Sequence, residues 1–257
     1  MPRPATIAIC AAFDMGLKLA SKALAESYPI KFVATCVRDT TAAEEKISDQ
    51  CAQLGIPCHR HISANDPEFV KAIADNEIDL VLLLWWPEII KPHAIRGAKT
   101  GWVNLHTSLL PFNRGMHPYY WATVEGTPFG ATLHLIDEGV DSGPILFQKE
   151  LPIRITDTGD SVYARLMDTC LDLFSESYPK IATGDFEATP QDDTVATFHL
   201  AEDLDAHSAI DLERTYRAKE LIDLIRARTF IGRPSSFFWH EGRKYWLRLQ
   251  IERADTE

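Results

Sequence analysis

The sequence predicts an α/β fold: a doubly wound, mostly parallel sheet carrying a small C-terminal extension of one helix plus a β-hairpin. Three observations predict it. From Thr6 to His106, short apolar runs alternate with helical segments, the pattern of repeated strand-helix-strand units. One run, Asp79 to Trp85, carries no charge after its first residue, as a strand buried on both faces requires. After Leu212 the pattern changes to a single helix and then two aromatic-rich runs around a Gly-containing turn.

The elements follow in order. Thr6 to Ala11 is apolar and fits a first buried strand, and Asp14 is placed to cap a helix running to about Ser27. Lys31 to Val37 reads as a second strand, and Ala42 to Leu54 as a helix ended by Gly55. Ile56 to His61 reads as a short strand, and Asp66-Pro67 opens another helix, to about Ala74. Asp79 to Trp85 and Trp102 to His106 complete the strands of the first half. Pro118 to Glu125 then reads as a helix, Gly130 to Asp137 and Ile145 to Ile153 as strands, and Asp160 to Ile181 as a long helix with Val162, Leu166, Cys170, Leu171 and Phe174 inward. Leu212 to Arg228 is the final helix, and the two arms of the hairpin are Phe237 to Trp239 and Lys244 to Ile251. The expected division is a domain over residues 1–182 and an extension over 183–257.

Composition narrows the classes. Hydrophobic residues make up 46% of the 257, enough for a sizeable core. The five cysteines are odd in number and contain no Cys-x-x-Cys, which argues for a reducing compartment. No basic region followed by a long apolar run opens the sequence, and Leu80 to Pro87 is too short to span a bilayer. A cytoplasmic protein with no membrane partner is therefore expected. The net charge of −11 weighs against a nucleic-acid surface. Thr183 to Glu213 holds nine carboxylates and no Lys or Arg and reads as a solvated loop. His59 and His61, beside Cys58, have metal-like spacing, but no partner cluster follows, so they read as an edge strand and no metal is expected.

The chemistry concentrates between Val103 and Ile145. Asn104 and His106 lie two apart on a strand and so point to one side of it. Asp141 follows 35 residues after His106 in a Gly-flanked turn. An amide, an imidazole and a carboxylate at strand ends are the parts needed to stabilise an oxyanion and move a proton. Ligands of doubly wound sheets gather beyond the carboxyl ends of the strands. The Phe13-Asp14 turn, Trp85-Trp86 and Asn104-Leu105-His106 all fall there. His134, on a strand of alternating character, reads as a hydrogen-bonded core residue.

Five elements occur here in order: Asn104-Leu105-His106, Ser108-Leu109-Leu110-Pro111, Arg114-Gly115, Gly130-Ala131-Thr132-Leu133-His134 and Asp141-Ser142-Gly143. Together they resemble the catalytic domain of formyltransferases that use 10-formyltetrahydrofolate, with their Rossmann-like fold. The resemblance implies three roles. His106 handles the proton, since an imidazole titrates near neutral pH. The Asn104 amide donates to the oxyanion, a contribution of about 3–4 kcal/mol in comparable sites. Asp141 orients His106. The residues leave open whether His106 acts first as base or as charged oxyanion partner. The resemblance also implies a pterin slot along Leu84, Trp85, Trp86, Ile89 and Ile90, closed by Asp137 and Glu138, and recognised through backbone groups. One of the tryptophans stacks on the pterin or packs in the core. Neither a Gly-x-Gly-x-x-Gly nor a Gly-Lys-Ser/Thr phosphate loop occurs, so a nicotinamide or ATP site has no support.

The acceptor is read from two further stretches. Ile225-Arg226-Ala227, Gly232, Pro234, Phe237-Phe238 and Gly242-Arg243-Lys244-Tyr245 resemble the C-terminal part of sugar-nucleotide N-formyltransferases, which act in bacterial surface polysaccharide (O-antigen) synthesis. So does the loop from Asn113 to Pro118. The resemblance implies a nucleotide-linked amino sugar as partner and a homodimer. A diphosphate suits cations and a helix N-terminus, so the expected substrate contacts are Asp14, Met15, Gly16, Lys18, Arg38, Arg114, Gly115, Met116 and His117. An aromatic of the Pro118-Tyr119-Tyr120-Trp121 run, or of the hairpin, is placed to stack on the base. The alternatives are a methionyl-tRNA formyltransferase, a formyltetrahydrofolate hydrolase and a nonenzymatic sugar-nucleotide binding module.

Overall fold

The computed structural model describes residues 3–254, so the outermost ends of the two expected domains, residues 1–2 and 255–257, lie outside the described residues. The first half runs β1 (Ile7–Ala11), α1 (Phe13–Leu24), β2 (Ile30–Cys36), α2 (Ala43–Leu54), β3 (Cys58–Ile62), α3 (Pro67–Asp75), β4 (Leu80–Leu84), α4 (Pro92–Ile95) and β5 (Gly101–His106). The second half runs β6 (Arg114–Gly115), α5 (Pro118–Glu125), β7 (Gly130–Leu135), β8 (Ile145–Glu150), α6 (Gly159–Thr183), β9 (Phe198–His199), α7 (Asp203–His207), α8 (Ala218–Ala227), β10 (Ser236–His240) and β11 (Arg243–Leu247).

Seven strands form one sheet in the order β3-β2-β1-β4-β5-β7-β8. Strands β1 to β5 pair in parallel and β7 joins β5 antiparallel. The expected α/β, doubly wound, mostly parallel sheet is present, and so is the C-terminal hairpin, β10 with β11. The core beneath the sheet gathers Phe32, Phe69, Ile73, Val81, Leu83 and Trp102. Burying each such side chain is worth about 1.5–3 kcal/mol. The edge position of β3 agrees with the reading of His59 and His61.

The chain divides into two compact units. The first is Met1–His106, Thr132–Gln148 and Cys170–Gln191. The second is Thr107–Ala131, Lys149–Thr169 and Asp192–Glu257. In the second unit, Tyr120, Trp121, Leu204 and Ala227 form a core of their own.

Local chemistry explains where elements end. Asp66 caps α3 by accepting from the Glu68 N–H, and Gly55 closes α2 in the left-handed region. Asp14 does not cap α1. The N-cap is Ala12, and Asp39, from the end of β2, accepts the Phe13 N–H at 2.6 Å instead. Strand β7 stops at Leu135 because Asp137 turns back on the Gly139 N–H and the Ser142 hydroxyl. Strand β8 stops at Glu150, ahead of Pro152, which has no N–H for a ladder. Strand β11 is likewise shorter than expected and ends at Leu247. Helix α8 begins at Ala218 rather than Leu212, since Asp211 captures the Glu213 N–H and the Tyr216 hydroxyl captures the Asp211 N–H. The acidic stretch is no featureless loop: it contains β9 and α7.

Gly16 sits where α1 crosses the sheet, and a Cβ built there would lie 2.6 Å from the Leu84 carbonyl oxygen. Gly16→Ala is expected to destabilise the fold by about 1–3 kcal/mol through a forced helix shift. Urea unfolding of both proteins checks it, and an unchanged midpoint would refute the close approach.

Candidate active site

Strands β4 and β5 are parallel, so their carboxyl ends emerge on one edge of the sheet. At the end of β5 the antiparallel register sets Asn104 opposite His134 and His106 opposite Thr132. Directly opposed residues on one face have adjacent side chains. The Asn104 Nδ2 lies 3.2 Å from His134 Nε2. His134 Nδ1 lies 2.8 Å from the Leu135 carbonyl oxygen, which accepts only, so Nδ1 carries the proton. Burial pushes the His134 imidazole down to about 4, with the Asp141 carboxylate opposing. The ring is therefore neutral at physiological pH, and its Nε2 accepts from the Asn104 amide.

Asp141 reaches the same place from the turn after β7. Its Oδ2 is 3.5 Å from His106 Nδ1, and its Oδ1 is 3.7 Å from His134 Nε2. The His106 and Asp141 side chains are 8% and 15% exposed, so their attraction acts in a poorly screened setting. Asp141 adopts φ +52°. Gly143 completes this turn because a Cβ there would meet the Leu135 carbonyl oxygen at 1.9 Å. The three expected catalytic residues are thus brought together, with His134 as a fourth member. The sequence marks His134 by its spacing from Thr132 but carries no sign of its cross-strand partner.

The expected pterin segment leaves β4 through Trp85, which has φ +63°. Leu84, Trp86 and Ile90 are buried, and the last two belong to the core beneath the sheet, so their side chains pack. Trp86 donates its indole N–H to Glu88. Trp85 is half-buried and Ile89 is exposed. Among the described residues, the main-chain N–H groups of Trp86, Glu88 and Ile89 donate to no other protein group. Asp137 is engaged in its turn, and Glu138 is exposed with Arg96 3.5 Å away.

The expected substrate contacts divide. Asp14, Lys18 and Arg38 are exposed. Met15 is buried, and the Gly16 N–H is committed to the Ala12 carbonyl, so these two serve packing and helix formation rather than an open phosphate turn. In the second unit Arg114 pairs with Asp193 at 2.7 Å. Gly115, at φ +85°, lies so close to the His199 carbonyl that a Cβ would be 2.3 Å away. Met116 is exposed, and His117 adopts φ +59° at the start of α5. Burial, with Arg228 adding, lowers the His117 imidazole below its ordinary range. Tyr120 and Trp121 are not available to stack on a base. They face the second core, where Trp121 stacks on His199 at 3.9 Å. Among the described residues no group of three His, Cys, Asp or Glu side chains is arranged for a metal, and no helix is long and apolar enough to cross a membrane.

Residues 20–177 match the formyl transferase family. The chain belongs to that enzyme family. Residues 203–253 of this formyltransferase match the N-formyltransferase dimerization C-terminal domain. A Mycobacterium tuberculosis protein described as a candidate sugar N-formyltransferase superposes with TM-score 0.81 and 27% identity, covering 98% of this chain and 100% of its own. The N-formyltransferase of Helicobacter canadensis, solved with folinic acid and dTDP-3-aminofucose, has TM-score 0.68 and 20% identity, covering 93% of this chain and 94% of its own. The methionyl-tRNA formyltransferase of Synechococcus sp. (strain JA-3-3Ab) is 37% identical over 134 residues, 52% of this chain but 42% of that protein. The match therefore spans less than half of the curated relative.

The neutral state of His134 has a measurable consequence. Its folded value lies below the unfolded value of about 6.5, so the unfolded chain takes the proton first on acidification. The stability contributed by neutral His134 is full above about pH 6.5 and is lost as pH falls toward 4. Wild type is expected to lose about 2–3 kcal/mol more than His134→Gln between pH 7 and 4.5. Urea titrations at the two pH values measure it, and equal losses would refute the assignment.

Proposed function

We propose that the protein transfers a formyl group from 10-formyltetrahydrofolate to the amino group of a nucleotide-linked amino sugar, in the synthesis of bacterial surface polysaccharide such as O-antigen. The observation that carries this reading is the cluster of Asn104, His106, His134 and Asp141 at the end of β5. The C-terminal match, and the full-length likeness to the Mycobacterium tuberculosis protein, support a sugar as acceptor. The nucleotide sugar and folinic acid held by the Helicobacter canadensis enzyme support the donor and acceptor classes. The residues present fit a pterin. The strand exit at Trp86 to Ile89 offers main-chain N–H groups, and the Asp137 turn is part of the same unit as that segment.

The folate supplies the one-carbon unit; the rest is done by side chains. Asn104 gives one amide N–H to His134 and turns its other toward the formyl oxygen, where negative charge grows as the amine attacks. His106 presents Nδ1 to Asp141 and takes up the amine proton at Nε2. Asp141 steadies the charged imidazole while that proton is passed to the departing folate nitrogen. Exposed Lys18 and Arg38, in the same unit as the cluster, are candidates for the acceptor's diphosphate. We further propose that the working division falls near residue 182, with residues 1–182 carrying the reacting groups and 183–257 holding the segment that assembles a homodimer in the cytoplasm.

A second reading is favoured by one observation, the 37% identity to a methionyl-tRNA formyltransferase. Purified protein given 10-formyltetrahydrofolate, amino-sugar nucleotides and charged initiator tRNA decides between them by mass spectrometry of the products. Formylated sugar nucleotide is expected. Formylation of tRNA alone would select the other acceptor, and donor turnover with no amine would select a hydrolase. Asn104→Ala and His106→Ala are each expected to lower kcat by about a hundredfold to a thousandfold, and retained turnover would remove this site from the reaction.

The dimer contact is proposed on the β10–β11 hairpin. Trp239 and Trp246 lie on one face of this two-stranded sheet and are 59% and 44% exposed, adjacent apolar side chains of the kind that a protein–protein contact covers. Trp239→Glu with Trp246→Glu is expected to convert a dimer to a monomer in sedimentation equilibrium. A double variant that stays dimeric would place the contact elsewhere.

A further inference from the structure

We propose that Gln191 is a positioning residue for the reaction, strapping the Asp141 turn so that its carboxylate faces His106. This rests on the reading of Asp141 and His106 as a working pair.

Gln191 Nε2 lies 2.8 Å from the Asp141 carbonyl oxygen and 2.7 Å from the Gly143 carbonyl oxygen. Both partners are acceptors, so the group facing them is the NH2 of the side chain, and its two N–H bonds hold carbonyls two residues apart on one turn. Asp141 needs such a hold. It is a non-glycine residue at φ +52°, a conformation that side chains disfavour and that persists when neighbouring contacts over-determine it. Two further fastenings lie to either side of it. Ser142 donates to Asp137 at 2.8 Å, and Leu135 donates its N–H to the Pro144 carbonyl at 2.9 Å. Gln191 acts on the Asp141 carbonyl itself.

The strap is anchored. Thr189 and Ile145 exchange both main-chain hydrogen bonds, at 2.8 and 2.9 Å, which fixes the chain two residues before Gln191 to the first residue of β8. Gln191 thereby reaches back 50 residues from the acidic stretch to the turn. Without its amide, two carbonyls lose a charge-free but directional partner, and the backbone of Asp141 relaxes toward negative φ. The carboxylate swings with the backbone, and the 3.5 Å approach to His106 Nδ1 is lost.

Two variants of the full chain test this. Gln191→Ala removes the side chain, and Gln191→Met keeps its length without a donor. In both, hydrogen exchange over residues 139–145, measured by mass spectrometry without substrate, is expected to accelerate, while the far-ultraviolet circular dichroism stays that of the wild type. With donor and acceptor, kcat is expected to fall about tenfold to a hundredfold while both KM values stay within about threefold, since misplacement of a reacting group by an ångström costs on that scale. Gln191→Lys, whose ammonium can donate to the same two carbonyls, is expected to recover part of the kcat. Unchanged exchange in both variants, or a kcat equal to wild type, overturns the proposal. So does a loss confined to KM, which would make Gln191 a substrate contact. Should wild type formylate no acceptor at all, the functional reading fails and exchange alone judges the strap: acceleration supports it and no change overturns it.

Discussion

The candidate chemistry depends on one constraint, the antiparallel register of β7 against β5 at the edge of an otherwise parallel run. Strand side chains alternate faces, so a slip of one residue would set Asn104 opposite Leu133 or Leu135 and carry His134 to the other face. On its other side β7 relies on glycines, each of which permits a backbone approach that a Cβ would block. At Gly130 the neighbour is the Lys149 carbonyl, 2.2 Å from a built Cβ, and at Gly143 it is the Leu135 carbonyl. The alternation of Leu133 and Leu135 with Thr132 and His134 then sorts packing from chemistry on a single strand.

That register also decides where protons reside. Two imidazoles lie at similar distances from one carboxylate, 3.5 Å for His106 and 3.7 Å for His134. If both carried charge they would repel each other and divide the attraction of Asp141. Burial removes the competition by holding His134 neutral. Its proton stays on Nδ1, against the Leu135 carbonyl, so Nε2 can accept only from a donor, and the facing group is the Asn104 amide. One desolvated histidine thus orients the amide and leaves the carboxylate to the other. The same ring reads equally well as an ordinary satisfied core residue, because both descriptions are correct.

Much of this was legible in the residues. The β-rich runs, the Asp66-Pro67 and Gly55 helix boundaries and the two-residue spacing of Asn104 and His106 each reflect forces that act within a few residues or one strand. What was not legible came from partners far away in sequence. Asp14 looks like a cap because it precedes an apolar helical run, but Asp39 reaches the helix start first. Tyr120 and Trp121 look like stacking surfaces because they are aromatic and follow a polar loop, but Leu204 and Ala227 bury them. Gly16 suggests a phosphate turn, and its real constraint is a carbonyl of the neighbouring strand.

The acidic stretch is the clearest case. Its carboxylates suggest water on all sides, yet charge describes only where its acidic side chains point. Asp193 and Asp205 are largely exposed while each grips a well-shielded guanidinium, of Arg114 and Arg228. Between the acids, the main chain bonds to structured partners: Thr189 to Ile145 in the first unit, and Phe198 and His199 beside Arg114 and Gly115 in the second. Leu204 enters the second core. A segment can therefore be strongly acidic and still be held residue by residue, because a hydrogen-bond ladder uses the backbone, which every composition shares. Net charge predicts which faces meet water. It is silent on which carbonyl a lone glutamine will hold.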